Sequence, residues 1–136
     1  MPNIPADASS TAELTVGAAD LASTLSAHPD DAFPSVFATS RMIALMEVAS
    51  ARLLKPYLGE GEMSVGVTVD VSHTAATPPG AKVSATARFT GREGKLFVFE
   101  VVAQDEAGEI GRGTHKRAAI ATERLLSGAR KRRSKN

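Results

Sequence analysis

From Thr39 onward, apolar side chains recur at helical steps. Met42, Met46, Ala49 and Leu53 follow one another at intervals of three and four, and Ile43, Ala51 and Leu54 widen the stripe. This spacing predicts one long helix, apolar over much of its circumference and therefore buried on more than one side. Thr39 or Ser40 offers a hydroxyl to cap the first turn, while Pro56 and Gly59 end the segment. The period then drops to two. Met63, Val65, Val67, Val69, Val71 and His73 fall on one side of a strand, with Ser64, Gly66, Thr68, Asp70 and Ser72 on the other. Val83, Ala85, Ala87 and Phe89 mark a second strand, Phe97, Phe99, Val101 and Ala103 a third, and Ile110 to Ala121 a fourth. Glu13 to Gly17 reads as a short strand ahead of the helix.

Tight turns separate the long strands at Thr77-Pro78-Pro79-Gly80, Gly91-Arg92-Glu93-Gly94 and Asp105-Glu106-Ala107-Gly108. Strands joined in this way pair antiparallel. One apolar helix against one apolar sheet face gives an α+β domain, an antiparallel sheet wrapped round a long central helix. Such a small sheet leaves a free edge, and pairing with a second copy covers it, so a homodimer is expected. The domain is expected over residues 13–126. Residues 1–12, rich in Pro, Ala and Ser, are expected to be disordered. So is the basic tail at 127–136.

The chain of 136 residues suits one domain, and its 43% hydrophobic and 23% charged residues are those of an ordinary globular protein. It has no cysteine, which removes disulfides, thiolate metal sites and a cysteine nucleophile. No apolar run is long enough to cross a bilayer, and the first residues, Met1-Pro2-Asn3-Ile4-Pro5, lack the pattern of a signal peptide, so a cytoplasmic location is expected. Arg130, Lys131, Arg132, Arg133 and Lys135 supply five of the 16 cations; the remaining 11 face 15 carboxylates, a body near −4. That body offers no cationic face to a nucleic acid. No cluster has metal-ligand spacing, and no glycine-rich phosphate loop is present, so neither metal nor cofactor is expected.

Three polar residues interrupt the apolar pattern. Glu47 projects from a mainly apolar stripe, with Ile43, Ala44, Ser50, Ala51 and Leu54 as its helical neighbours. It is either a carboxylate at the edge of the stripe or a functional group held in an apolar setting. His73 is in phase with five apolar side chains and faces the helix, either as a satisfied core histidine or as a base. Thr39 stands at the helix start, where a hydroxyl is either a cap or a reactant. Together, hydroxyl, carboxylate and imidazole are acyl-transfer equipment, and they could converge where the helix start meets the strand. Asp70 lies on the strand face opposite His73 and is a poor partner for it.

The segments TSRMIALME (39–47), SVG (64–66), SHTAATPPG (72–80) and GTHKRA (113–118) resemble the fluoroacetyl-CoA thioesterase family of hotdog-fold proteins. The similarity runs from about Phe33 to about Glu123. The resemblance implies an acyl-CoA substrate and catalytic roles for Thr39, Glu47 and His73. It also implies a glycine whose backbone lies at the thioester, matched by Gly66, an arginine near the ligand, matched by Arg117, and a phenylalanine guarding the acyl pocket, matched by Phe33. Lys116 stands where the family commonly has an acidic residue. In the chemistry implied, water or the Glu47 carboxylate attacks the thioester, Thr39 positions the carboxylate, and His73 is the general base. Two other readings keep the fold: a hydratase of enoyl thioesters, which would need a His/Asp pair, and an acyl-CoA binding module without catalysis.

Overall fold

The computed structural model describes residues 3–134. Its elements are β1 (Ser9–Thr15), α1 (Thr39–Leu54), β2 (Glu62–His73), β3 (Lys82–Glu93), β4 (Leu96–Asp105), β5 (Gly108–Ala121) and α2 (Thr122–Arg133). The five strands form one antiparallel sheet in the order β1-β3-β4-β5-β2. Helix α1 packs against β1, β2, β3 and β4, so the sheet wraps the helix as expected. Met42, Leu45, Met46, Ala49 and Leu53 turn inward from α1 and meet Val83, Ala85, Ala87, Phe97, Phe99 and Val101 from the sheet. Burying these side chains, each worth about 1.5–3 kcal/mol for the larger ones, is what fixes the helix on the sheet.

The strand β2 departs from the simple alternation read in its sequence. A β-bulge at Val67 breaks the β2–β5 register: Gly66 pairs with Arg117, but Lys116 pairs with Thr68. Residues directly opposite one another share a face. Gly66 therefore faces the helix with buried Arg117, while beyond the bulge Val69 and His73 face it with His115 and Gly111. Met63 and Val65 are out of phase with Val69, Val71 and His73, and Val67 is 50% exposed. An extra residue in one strand is the physical reason, and it leaves no mark in the hydrophobic pattern.

Both termini are more ordered than their composition suggested. The first strand begins at Ser9, not Glu13, and Ala12 is buried on its inner side. Ile4 and Ala8 pack against the core. At the other end, Thr122–Arg133 forms α2, with the cations Arg130 to Arg133 in its last turn, where they oppose the negative end of the helix dipole. The expected disordered stretches 1–12 and 127–136 are thus corrected for residues 9–12 and 127–133; Met1, Pro2, Lys135 and Asn136 lie outside the described residues.

The connection from β1 to α1 is pinned at several points. Leu21 and Phe37 form an isolated antiparallel bridge, and the Ala38 amide donates to the Asp20 carbonyl at 2.9 Å. The Asp20 carboxylate receives Arg41 of the first helical turn at 3.0 Å. No side chain caps α1: its N-cap is Ala38. Thr39 is the first helical residue, and its hydroxyl is free for other work.

Candidate active site

The Thr39 hydroxyl lies 2.8 Å from Nδ1 of His73. The helix start and the end of β2 meet here, because the Thr74 amide donates to the Ile110 carbonyl at 2.7 Å and holds the strand end against β5. Phe37, 1% exposed, sets its ring edge-on to the imidazole, with centroids 6.5 Å apart. The other imidazole nitrogen, Nε2, is buried and has no hydrogen-bond partner. A buried polar atom of this kind demands an explanation, and a substrate or water at that position supplies one. Thr39 and His73 also line a cavity of about 380 Å³, together with Ala22, Val36, Ala75 and Ala76.

The loop lining this cavity is anchored through Thr77, which is fully buried. Its hydroxyl donates to the Asp105 carboxylate at 2.8 Å, and its carbonyl accepts from the Phe37 amide at 2.9 Å. One residue thereby ties the 74–77 segment to the β4–β5 turn on one side and to the approach of α1 on the other. The Thr77 hydroxyl and then the Ala107 amide lower the pKa of Asp105 by bonding its charged form.

Glu47 stands elsewhere. Eight residues separate it from Thr39 on α1, a rise of about 12 Å. It is half-buried, and its carboxylate lies against Gly66: a Cβ built on that glycine would sit 2.5 Å from Oε1 and 3.2 Å from Cε1 of His115. Arg117, only 6% exposed, is beside them. Its Nε donates to the Ser64 hydroxyl and its Nη2 to the Ser64 carbonyl, both at 2.9 Å. Burial lowers its pKa, and the Glu47 charge acts in the opposite sense.

Within one chain the expected trio therefore does not converge. Thr39 bonds His73 and not the Glu47 of its own chain. Glu47, Gly66 and Arg117 form a second cluster. Phe33 is 49% exposed, one residue before the cavity-lining Pro34, and Phe37 is the ring that meets His73. Asp70 is exposed on the outer face of β2, as its phase predicted. Three residues were missed in the sequence: Phe37, Thr77 and His115. The last two sit inside the very segments SHTAATPPG and GTHKRA that drew attention for other residues.

Architecture and polar groups together place the chain among the hotdog-fold thioester hydrolases. It belongs to the fluoroacetyl-CoA-specific thioesterase family, whose model matches residues 16–123. The fluoroacetyl-CoA thioesterase of Streptantibioticus cattleyicolor is 50% identical over 93 residues, which are 68% of this chain and 67% of that protein. The solved structure of the fluoroacetyl-CoA thioesterase FlK superposes with a TM-score of 0.87 at 38% identity, covering 96% of this chain and 98% of that one. A thioesterase superfamily member from Thermus thermophilus superposes with a TM-score of 0.87 at 27% identity, over 98% of this chain and 96% of its own.

Proposed function

We propose that this protein hydrolyses a short-chain acyl-CoA thioester, fluoroacetyl-CoA being the substrate its family points to, and releases the free acid and CoA. The observation that carries the reading is the Thr39–His73 pair, with the unpartnered Nε2 buried beside the cavity that both residues line. A proton on Nδ1, donated to the Thr39 oxygen, leaves Nε2 with a lone pair to take a proton from water. Glu47 attacks the thioester carbonyl, forming a mixed anhydride and expelling CoA as thiolate. Water then opens the anhydride as His73 takes its proton; the imidazolium passes that proton to the thiolate, and Glu47 is regenerated as carboxylate. Gly66 leaves the main chain bare beside the carboxylate, so that backbone can approach the thioester closely. Arg117 contributes a fixed positive charge near the bound ligand, and Phe33 borders the acyl end.

The separation of Thr39–His73 from Glu47 supports a homodimer. Among the described residues strand β2 bonds only to β5, which leaves its outer edge free, and Val67 and Val69 are 50% and 39% exposed there. Antiparallel pairing of two β2 edges about a point near Val69 and Asp70 sets His73 opposite Gly66 of the partner subunit. The helices then run in opposite senses, and Glu47 of the partner subunit comes to the Thr39–His73 pair. The hydratase reading lacks a supporting pair, because Asp70 points away from His73.

The test is release of free CoA, followed with a thiol reagent, from acetyl-, fluoroacetyl-, propionyl- and longer acyl-CoA. Turnover confined to the short thioesters is the expected result. Binding without release of thiol in every case would leave a binding module and overturn the proposal.

A further inference from the structure

His115 is the most buried ionisable side chain of the site, 1% exposed on β5, and no step above uses it. Its Nδ1 lies 2.9 Å from the Thr68 carbonyl, beside the bulge of β2, and its Nε2 lies 3.1 Å from Nη1 of Arg117. A carbonyl only accepts and a guanidinium only donates. Both contacts therefore dictate the same state of the ring: a single proton on Nδ1, and a lone pair on Nε2. We infer that His115 is a positioning residue, a neutral acceptor that locks the Arg117 guanidinium at the Glu47 end of the site. This inference builds on the hydrolase reading above, because it assigns a role to the charge beside Glu47.

The geometry leaves the guanidinium little freedom. Ser64 takes Nε and Nη2, and His115 takes Nη1, so all three nitrogens of the fork are bonded. A bonded fork holds its direction, whereas an arginine with one unpaired nitrogen swings. The groups facing His115 are Glu47 from α1, the Thr68 carbonyl and Gly66 from β2, Phe99 from β4 and Arg117 from β5. Burial lowers the pKa of the ring first of all; the Thr68 bond and the Glu47 charge oppose this, and the Arg117 charge adds to it. A second proton would set an N–H of the ring against an N–H of Arg117 and break the lock. The same histidine touches the space kept open at Gly66, so it stands in the wall against which the Glu47 carboxylate rests.

Two substitutions separate the ring's contacts. His115→Gln reaches the Nε2 position with an amide oxygen and keeps an acceptor for Arg117; His115→Asn reaches only the Thr68 carbonyl. At matched melting temperature, His115→Asn is expected to lower kcat/KM by up to about 100-fold, the scale of a misplaced catalytic group, while His115→Gln retains most of it. In an Arg117→Lys background, the His115→Asn loss is expected to vanish, because the histidine acts only through the arginine. Equal activity of the two His115 variants, or additive losses with Arg117→Lys, would overturn the inference. A readout independent of turnover is the imidazole nitrogen NMR of the wild-type protein. It is expected to show His115 protonated on Nδ1 alone at pH 8 and to take its second proton only below the ordinary imidazole value; the opposite tautomer, or protonation at or above the ordinary value, would refute the lock. Should no acyl-CoA release thiol, the hydrolase reading fails while the NMR result still decides the state of His115.

Discussion

The Gly66 Cα rests against the Glu47 carboxylate so closely that a single methyl group would come 2.5 Å from Oε1. Gly66→Ala is therefore expected to fold and to lose turnover. The carboxylate is the far end of a flexible side chain, so it yields by rotating away from its reactive position. The loss is expected on the order of 10²-fold in kcat, with a melting temperature close to the parent's. Steady-state kinetics beside a melting curve checks this; full activity would show that Glu47 need not lie against the strand.

The Thr39–His73 bond predicts a graded series. Thr39→Ser keeps the hydroxyl and most of the rate, whereas Thr39→Val removes it and frees the ring to rotate. His73→Ala is expected to cost about 10²–10⁴-fold, as for loss of a positioned base. Kinetic constants and melting curves of the variants check this; near-parental kcat/KM in His73→Ala with only a lowered melting temperature would make the histidine a packing residue.

Thr77 and Asp105 predict a link between loop anchoring and acid stability. The folded-state pKa of Asp105 lies below its ordinary value of 3.8. Its stabilising contribution is thus complete above pH 3.8 and is lost as pH falls through the lower folded value. Asp105→Ala is expected to lower stability at neutral pH and to flatten part of the acid limb of the stability curve. Thr77→Val, which deletes the donor, is expected to cost about 1 kcal/mol and to raise KM, because Thr77 anchors the Thr74–Ala76 segment that lines the cavity. Denaturant melts at pH 7 and at pH 3 separate the two effects.

The proposed sharing of sites between two subunits predicts complementation. Homodimers of His73→Ala and of Glu47→Gln are each expected to be inactive. Their mixed dimer carries one site with both groups intact and is expected to regain about half of the parent activity, by counting sites. No recovery in a purified mixed dimer would place His73 and Glu47 of one chain in the same site. Val67→Lys, on the free edge, is expected to give a monomer by light scattering and to abolish turnover.

Much of this architecture was readable from periodicity. Met42, Met46, Ala49 and Leu53 gave the helix and its buried face, and the paired apolar positions of β3 and β4 gave the sheet. Local pattern could not give what depends on contacts across the sheet. The bulge at Val67 is a property of the β2–β5 pairing, and Val67 itself looks like any strand valine. Thr39 looked like a cap because caps are hydroxyl-bearing, yet the cap position falls one residue earlier, at the extended Ala38, and Thr39 is already helical. His115 was hidden among Thr114, Lys116 and Arg117, a polar run that reads as a solvated strand. Only the assembled sheet shows that alternate members of this run, His115 and Arg117, are buried.

The bulge also sets a rule of parity for this strand. Gly66 and His73 are seven positions apart, an odd number, and in an unbroken strand they would point to opposite sides. The extra residue at Val67 restores them to one side. Deleting Val67 itself leaves the two residues six apart in an unbroken strand, and both still face the helix. Deleting a second residue between them, with no bulge to compensate, turns the imidazole outward. The strand can thus give up its extra residue, but the next single loss in this stretch separates the glycine from the histidine.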